Sequence, residues 1–214
     1  MKIEVNNLSK SFQGVNVLNN INAVFESGKI YGIIGRNGSG KSVFLKILCG
    51  FYKPTSGEIL YNGINISKDN IFPPNTRALI EKPNFLPDLT GMENLLLLAS
   101  IQNKIGKVEI EKILKTLELY NDKDKKYSKY SLGTKQKLGL AQVLMEDPKV
   151  IILDEPLNGI ENKTAASVRR IIKKEKENGK LIIIASHIKD DVIGLADELY
   201  EFDDGKMIRR KINK

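Results

Sequence analysis

Three unbroken apolar runs stand out along the chain: Ile30-Tyr31-Gly32-Ile33-Ile34, Val150-Ile151-Ile152-Leu153 and Leu181-Ile182-Ile183-Ile184. Runs of this length between small or polar residues predict strands covered on both faces, as in a parallel sheet. Elsewhere the spacing is helical. Val43-Phe44-Leu45-Lys46-Ile47-Leu48 follows the first run, and further helical patterns cover residues 107–119 and 138–145. Residues 161–178 form an amphipathic pattern that stops at Asn178-Gly179, a good helix end. Thr90-Gly91-Met92-Glu93 reads as a capping box opening a strongly apolar helix. The first third of the chain reads as strands. Within it, Asn62-Gly63 suits the two positive-φ positions of a type I′ hairpin turn. Residues 72–75 and 82–88 are proline-bearing and loop-like.

Strands alternating with helices predict an α/β fold with a mostly parallel sheet flanked by helices. The N-terminal strands form an antiparallel β portion. The helical stretch over about 84–147 interrupts the alternation and reads as an inserted helical subdomain. No repeat or low-complexity linker appears, so a single domain over 1–214 is expected.

Composition narrows the setting. With 41% hydrophobic and 28% charged residues, the chain can build a core and is not of the disordered class. Cys49 is the only cysteine, which excludes an internal disulfide and fits a reducing compartment. The opening residues do not form a signal peptide. Leu95-Leu96-Leu97-Leu98-Ala99 is too short to span a bilayer, so a chain that does not cross the membrane is expected. The net charge of +8 raises nucleic acid or an anionic membrane as partners. The basic clusters are mixed in sign, as in Lys123-Asp124-Lys125-Lys126, so they read as solvated faces and no nucleic-acid partner is expected.

The candidate chemistry centres on Gly35-Arg36-Asn37-Gly38-Ser39-Gly40-Lys41-Ser42, which reads G-x-x-x-x-G-K-S between a strand and a helix. Glycines let the backbone N–H groups converge on anionic oxygen, and the helix N-terminus adds further donors. Lys41 supplies a charge for the β/γ-phosphates and Ser42 a hydroxyl ligand for Mg²⁺. The second apolar run ends in Asp154-Glu155, and ligands of parallel sheets gather at strand carboxyl ends. Asp154 is placed to help hold Mg²⁺, and Glu155 to orient or deprotonate an attacking water. His187, the only histidine, follows the third run and is placed to meet the γ-phosphate. Ser131 to Gln136 puts small residues just before a helix, either as a second anion-binding turn or as a plain N-cap.

Together these motifs resemble the ATP-binding cassette family, specifically the nucleotide-binding subunit of an ABC transporter, over essentially the whole chain. The resemblance implies a P-loop NTPase in which residues 35–42 form Walker A, residues 150–155 form Walker B and Glu155 is the catalytic acid. It also makes His187 the switch histidine, Ser131 and Gly133 part of the signature, residues 157–161 the D-loop, and Phe12 the aromatic that stacks on adenine. Four departures are visible: Leu132 replaces a signature glycine, Val43 a threonine whose backbone N–H alone remains, Glu161 an aspartate, and Glu81 the Q-loop glutamine. Glu81 accepts hydrogen bonds but does not donate. It is a candidate third metal ligand beside Ser42 and Asp154, at the cost of repelling the γ-phosphate. The segments around Glu81 and residues 89–95 resemble bacterial exporters of peptide antibiotics, the bacitracin-resistance and lantibiotic-immunity group.

By the same resemblance, the signature of one copy caps ATP held by the P-loop of a second, identical or different, cassette subunit. ATP then joins the two copies, and hydrolysis with Mg²⁺ releases them to drive export by a separate transmembrane subunit. The chain would sit in the cytoplasm on the inner face of the membrane. The alternative is a non-transport cassette ATPase regulating a cytosolic assembly. A small-molecule P-loop kinase is disfavoured by the signature and the Asp154-Glu155 pair.

Overall fold

The computed structural model of the protein describes residues 1–68 and 71–212. The chain opens with β1 (Lys2–Phe12) and β2 (Val15–Glu26), then β3 (Ile30–Gly35) and α1 (Lys41–Leu48). Next come β4 (Ser56–Tyr61), β5 (Ile64–Asn65) and β6 (Thr76–Leu79), followed by α2 (Gly91–Gln102), α3 (Lys107–Thr116) and α4 (Leu132–Leu144). The remainder alternates: β7 (Val150–Asp154), α5 (Asn162–Glu177), β8 (Leu181–Ser186), α6 (Lys189–Ile193), β9 (Glu198–Asp203) and β10 (Lys206–Arg210).

Two sheets result. The smaller is antiparallel with order β2-β1-β4-β5, and Asn62 (φ 48°) and Gly63 (φ 82°) make the expected turn between β4 and β5. The larger has order β10-β9-β3-β8-β7-β6, parallel throughout except for β10. This matches the expected α/β arrangement. The strands β6, β9 and β10 add to the sequence reading.

The apolar runs are continuous because both faces of the large sheet are covered. Alternate residues divide between two cores. Tyr31, Ile33, Val150, Ile152, Leu181 and Ile183 join Phe44, Leu45 and the antiparallel sheet. Ile30, Ile34, Ile151, Leu153, Ile182 and Ile184 join the helices on the opposite face. Each such side chain contributes about 1.5–3 kcal/mol when fully buried. The helical insertion, α2 to α4, connects β6 to β7, which are parallel neighbours, and its Leu95, Ile110, Leu114 and Leu138 belong to the same core as the sheet. Caps hold its helices as anticipated. Thr90 Oγ1 accepts from Glu93 N at 3.1 Å while Glu93 Oε2 accepts from Thr90 N at 2.7 Å, and Ser131 Oγ accepts from Thr134 N at 3.2 Å.

Register fixes what emerges where. Ile33 pairs with Ala185 and Ala185 with Asp154, so β3, β7 and β8 end in one row. The loop after Gly35, the acids Asp154-Glu155 and the pair Ser186-His187 leave the sheet side by side.

Candidate nucleotide site

The loop after β3 needs its glycines for more than flexibility. Gly40 adopts φ 107° at the N-cap of α1, and a Cβ there would stand 2.8 Å from Leu18 Cδ2 and 3.0 Å from the Val17 carbonyl. The β1–β2 layer is thus pressed against the loop. Lys41 is almost fully buried, and its ammonium donates to the carbonyls of Gly35 (2.7 Å) and Arg36 (3.0 Å). Burial pulls its pKa below the usual lysine value, against the opposing charges of Glu155 and Asp154. The Ser39 hydroxyl is buried and makes no hydrogen bond among the described residues. An anionic acceptor seated in the loop would answer both a poorly solvated cation and an unpaired hydroxyl.

Ser42, on the first turn of α1, donates its hydroxyl to Asp154 Oδ2 at 2.8 Å. Asp154 is buried, and burial raises its carboxyl above the ordinary value; the Ser42 hydrogen bond opposes that shift and the nearby Glu155 charge adds to it. Two hard oxygen donors in contact fit Mg²⁺, which asks few protein ligands because it keeps waters and binds substrate phosphates. Among the described residues no cluster of three or more His, Cys, Asp or Glu forms a metal cage, so a metal held wholly by such side chains is not suggested.

Glu155 takes a left-handed backbone conformation (φ 52°), which turns its side chain away from Asp154's path and toward β8. Its Oε1 accepts from the His187 N–H at 2.8 Å and lies 2.8 Å from His187 Nδ1, while Oε2 accepts from the Ser186 hydroxyl at 3.0 Å. His187 directly follows β8, the strand lying between β3 and β7, which is why the acid and the imidazole meet.

A cleft of ≈ 680 Å³ lies over this row. Asn37, Gly38, Gly40, Lys41, Ser42, Val43, Asp154 and Glu155 line it, whereas Gly35, Arg36, Ser39 and His187, also expected at the nucleotide, are not part of its lining. Glu81 also lines it, but its carboxylate is paired with Lys46 Nζ at 2.7 Å. Phe12 does not line the cleft; Val17 does, and Phe12 meets Tyr52 edge-on at 5.5 Å instead. Ser131 and Gly133 line an adjoining recess of ≈ 260 Å³ with Thr164 and Glu161, and Leu132 and Gly159 line both it and the cleft. Sequence reasoning passed over Lys46 and Tyr127. Lys46 lies four residues beyond Ser42, a helical spacing that was available as a signal. Tyr127, whose hydroxyl donates to the Pro83 carbonyl at 2.8 Å, had none.

A glycine-lined loop between a central parallel strand and a helix, with an acid from a nearby strand bonded to the loop's serine, defines a P-loop nucleoside triphosphatase fold. The sequence profile described as "ABC transporter" matches residues 18–158, and the chain belongs to that family. It is 40% identical over 205 residues to the ABC transporter ATP-binding protein YybJ of Bacillus subtilis, covering 96% of this chain and 94% of the relative. It is 38% identical to the bacitracin transport ATP-binding protein BcrA of Enterococcus faecalis, over 96% of this chain and 68% of that protein. Against the lantibiotic transport ATP-binding protein SrtF of Streptococcus pyogenes it is 35% identical, over 98% and 90%. Among solved structures, an ABC transporter cassette in its ADP conformation superposes with a TM-score of 0.86 at 26% identity, over 97% of this chain and 90% of that one. A dimeric cassette in a post-hydrolysis state shares the fold, with a TM-score of 0.89 at 23% identity over 99% of each chain.

Proposed function

We propose that this chain is the Mg²⁺-dependent ATPase subunit of an exporter, coupling ATP-driven pairing of two cassettes to transport by a separate membrane-spanning subunit. The observation that carries the reading is the meeting of Ser42, Asp154 and the Glu155–His187 pair beside the P-loop. Lys41 and the loop N–H groups bind the β- and γ-phosphates. Ser42 and Asp154 hold Mg²⁺, which when bound offsets phosphate charge and orients the nucleotide. Glu155 orients the attacking water and takes its proton, and His187 holds the Glu155 carboxylate in place. The whole chain acts as one cassette. Ser131 and Gly133 do not line the P-loop cleft themselves but an adjoining recess that shares Leu132 and Gly159 with it, and they act on nucleotide held by a second copy.

Kinship with the bacitracin and lantibiotic transport proteins supports a peptide or antibiotic cargo and a cytoplasmic position on the inner membrane face. Among the described residues no helix is long and apolar enough to cross a membrane, in keeping with a separate spanning partner. The test is phosphate release from ATP by the purified chain, with and without Mg²⁺, alongside co-purification of a multi-span membrane protein. ATP turnover with no membrane partner would favour the regulatory alternative. Absence of both ATP binding and turnover would overturn the reading.

A further inference from the structure

The cleft carries an unusual electrostatic load. Asp154, Glu155 and Glu81 all face a volume read as the seat of a highly anionic triphosphate, and the charge of Glu81 is close enough to raise the Asp154 pKa further. Glu81 is held in a left-handed conformation (φ 66°), uncommon for a residue with a side chain, on a loop whose residue 82 is restricted by Pro83. Its side chain is two-thirds exposed and has one ion-pair partner among the described residues, Lys46 Nζ at 2.7 Å. Lys46 is on α1, one helical turn beyond Ser42 and so on the same face as the serine that bonds Asp154. The Lys46 side chain is 25% exposed, its ammonium sits 5.8 Å from the centre of the Tyr52 ring, and Tyr52 in turn meets Phe12 edge-on. The lysine is carried by a helix, and the glutamate hangs from a loop.

We propose that Lys46 is a positioning residue for nucleotide binding: it anchors the Glu81 carboxylate to the P-loop helix and keeps that negative charge from swinging onto the phosphates. An exposed pair of this kind adds little to stability, so its value lies in where it keeps the charge. Released from Lys46, a carboxylate on a loop lining the cleft is free to approach the γ-phosphate, where repulsion grows steeply as separation falls. It is equally free to approach Mg²⁺, which would reverse the penalty once metal is present.

This inference rests on the nucleotide reading of the cleft, and the experiment separates the two. ATP affinity is measured by isothermal titration for the parent, Lys46→Met, Glu81→Gln and the double variant, once with EDTA and once with Mg²⁺. If the parent binds no ATP, the function is wrong and the pair is moot with it. If it binds, Lys46→Met is expected to weaken ATP binding in EDTA by roughly five- to tenfold. The same change in the Glu81→Gln background is expected to cost less than about twofold, and Mg²⁺ is expected to close most of the gap. Lys46→Arg, which keeps the ion pair, is expected to restore parental affinity. Equal losses in both backgrounds would mean that Lys46 attracts the phosphates directly, and that outcome, or no loss at all, overturns the proposal. Both residues are partly or largely exposed, and circular dichroism melts of all the variants verify that they fold.

Discussion

His187 Nδ1 lies 2.8 Å from Glu155 Oε1, and the backbone N–H of the same histidine donates to that same oxygen at 2.8 Å. With Ser186 donating to Oε2, the carboxylate is held at both oxygens by consecutive residues of one strand end. A carboxylate fixed this way is held against rotation, which is the positioning that the proposed general-base role of Glu155 needs.

Replacing Glu155 by Gln leaves an amide that can accept one of these bonds but not act as a base. Turnover is expected to fall by about 10²- to 10⁴-fold with ATP affinity kept. Because ATP would then persist between paired cassettes, size-exclusion chromatography with ATP should show a dimer that the parent does not hold. Turnover at the parental rate would remove Glu155 from the role.

Asp154 stores a cost that can be read thermally. Its folded pKa is raised, chiefly by burial, above the ordinary carboxylate value, so the folded chain holds its proton more tightly than the unfolded one. Stability from this group is complete below the unfolded value and is lost as pH rises through the folded value. Asp154→Asn keeps an acceptor for Ser42 and abolishes that loss. Its nucleotide-free melting temperature at pH 7 should exceed the parent's by on the order of a few degrees, and the two should converge in acid. ATP hydrolysis should vanish in the same variant. A lower melting point at neutral pH would contradict the burial argument.

For Lys41 the trade runs between its own loop and the ligand. Its ammonium now donates to the carbonyls of Gly35 and Arg36, while burial lowers its pKa. Phosphate oxygens would supply the opposing charge that burial withholds. Lys41→Ala is expected to weaken ATP binding at least about tenfold. Excess ATP should therefore raise the melting temperature of the parent by clearly more than that of the variant, because stabilisation by a ligand follows its affinity.

What the sequence revealed follows from which signals are local. The strands β3, β7 and β8 are legible because burial on both faces leaves no polar residue to interrupt them. Asn62-Gly63, the Thr90–Glu93 box and the Asn178-Gly179 stop are legible because turn and cap chemistry is confined to a few residues. By contrast β6 is four residues at a sheet edge with one buried side chain, and β9 mixes acids with its apolar positions, so neither carries a clean period. The P-loop, Asp154, Glu155 and His187 were legible as motifs. Their gathering at the strand ends was expected as well, but the contact between Glu155 and His187 was not, since it comes from strand order, which places β8 between β3 and β7. The partner of Glu81 was hidden for the same reason: Lys46 and Glu81 meet only once α1 and the loop after β6 pack together.

Gly139 ties α4 to the Glu81 loop by contact alone. A Cβ at this position of α4 would stand 2.7 Å from Pro83 Cγ, 3.0 Å from Pro83 Cβ and 3.1 Å from Leu79 Cδ1. The proline ring is stiff, and its carbonyl is pinned by the Tyr127 hydroxyl at 2.8 Å, so the ring has little room to retreat. Gly139→Ala therefore has to push the 81–83 loop off the helix or distort α4 itself. Overpacking of this kind costs about 1–3 kcal/mol. For a chain of this size that corresponds to a melting-point drop of about 2–12 °C. The loop that moves carries Glu81 toward or away from the cleft, so ATP turnover should fall at temperatures where the variant is still fully folded. Gly194→Ala is the matched control: φ there is −70°, and an added Cβ meets nothing within 4 Å. That control should melt and turn over as the parent does. If the two glycine variants behave alike, close packing at Gly139 does not link the loop to the helix.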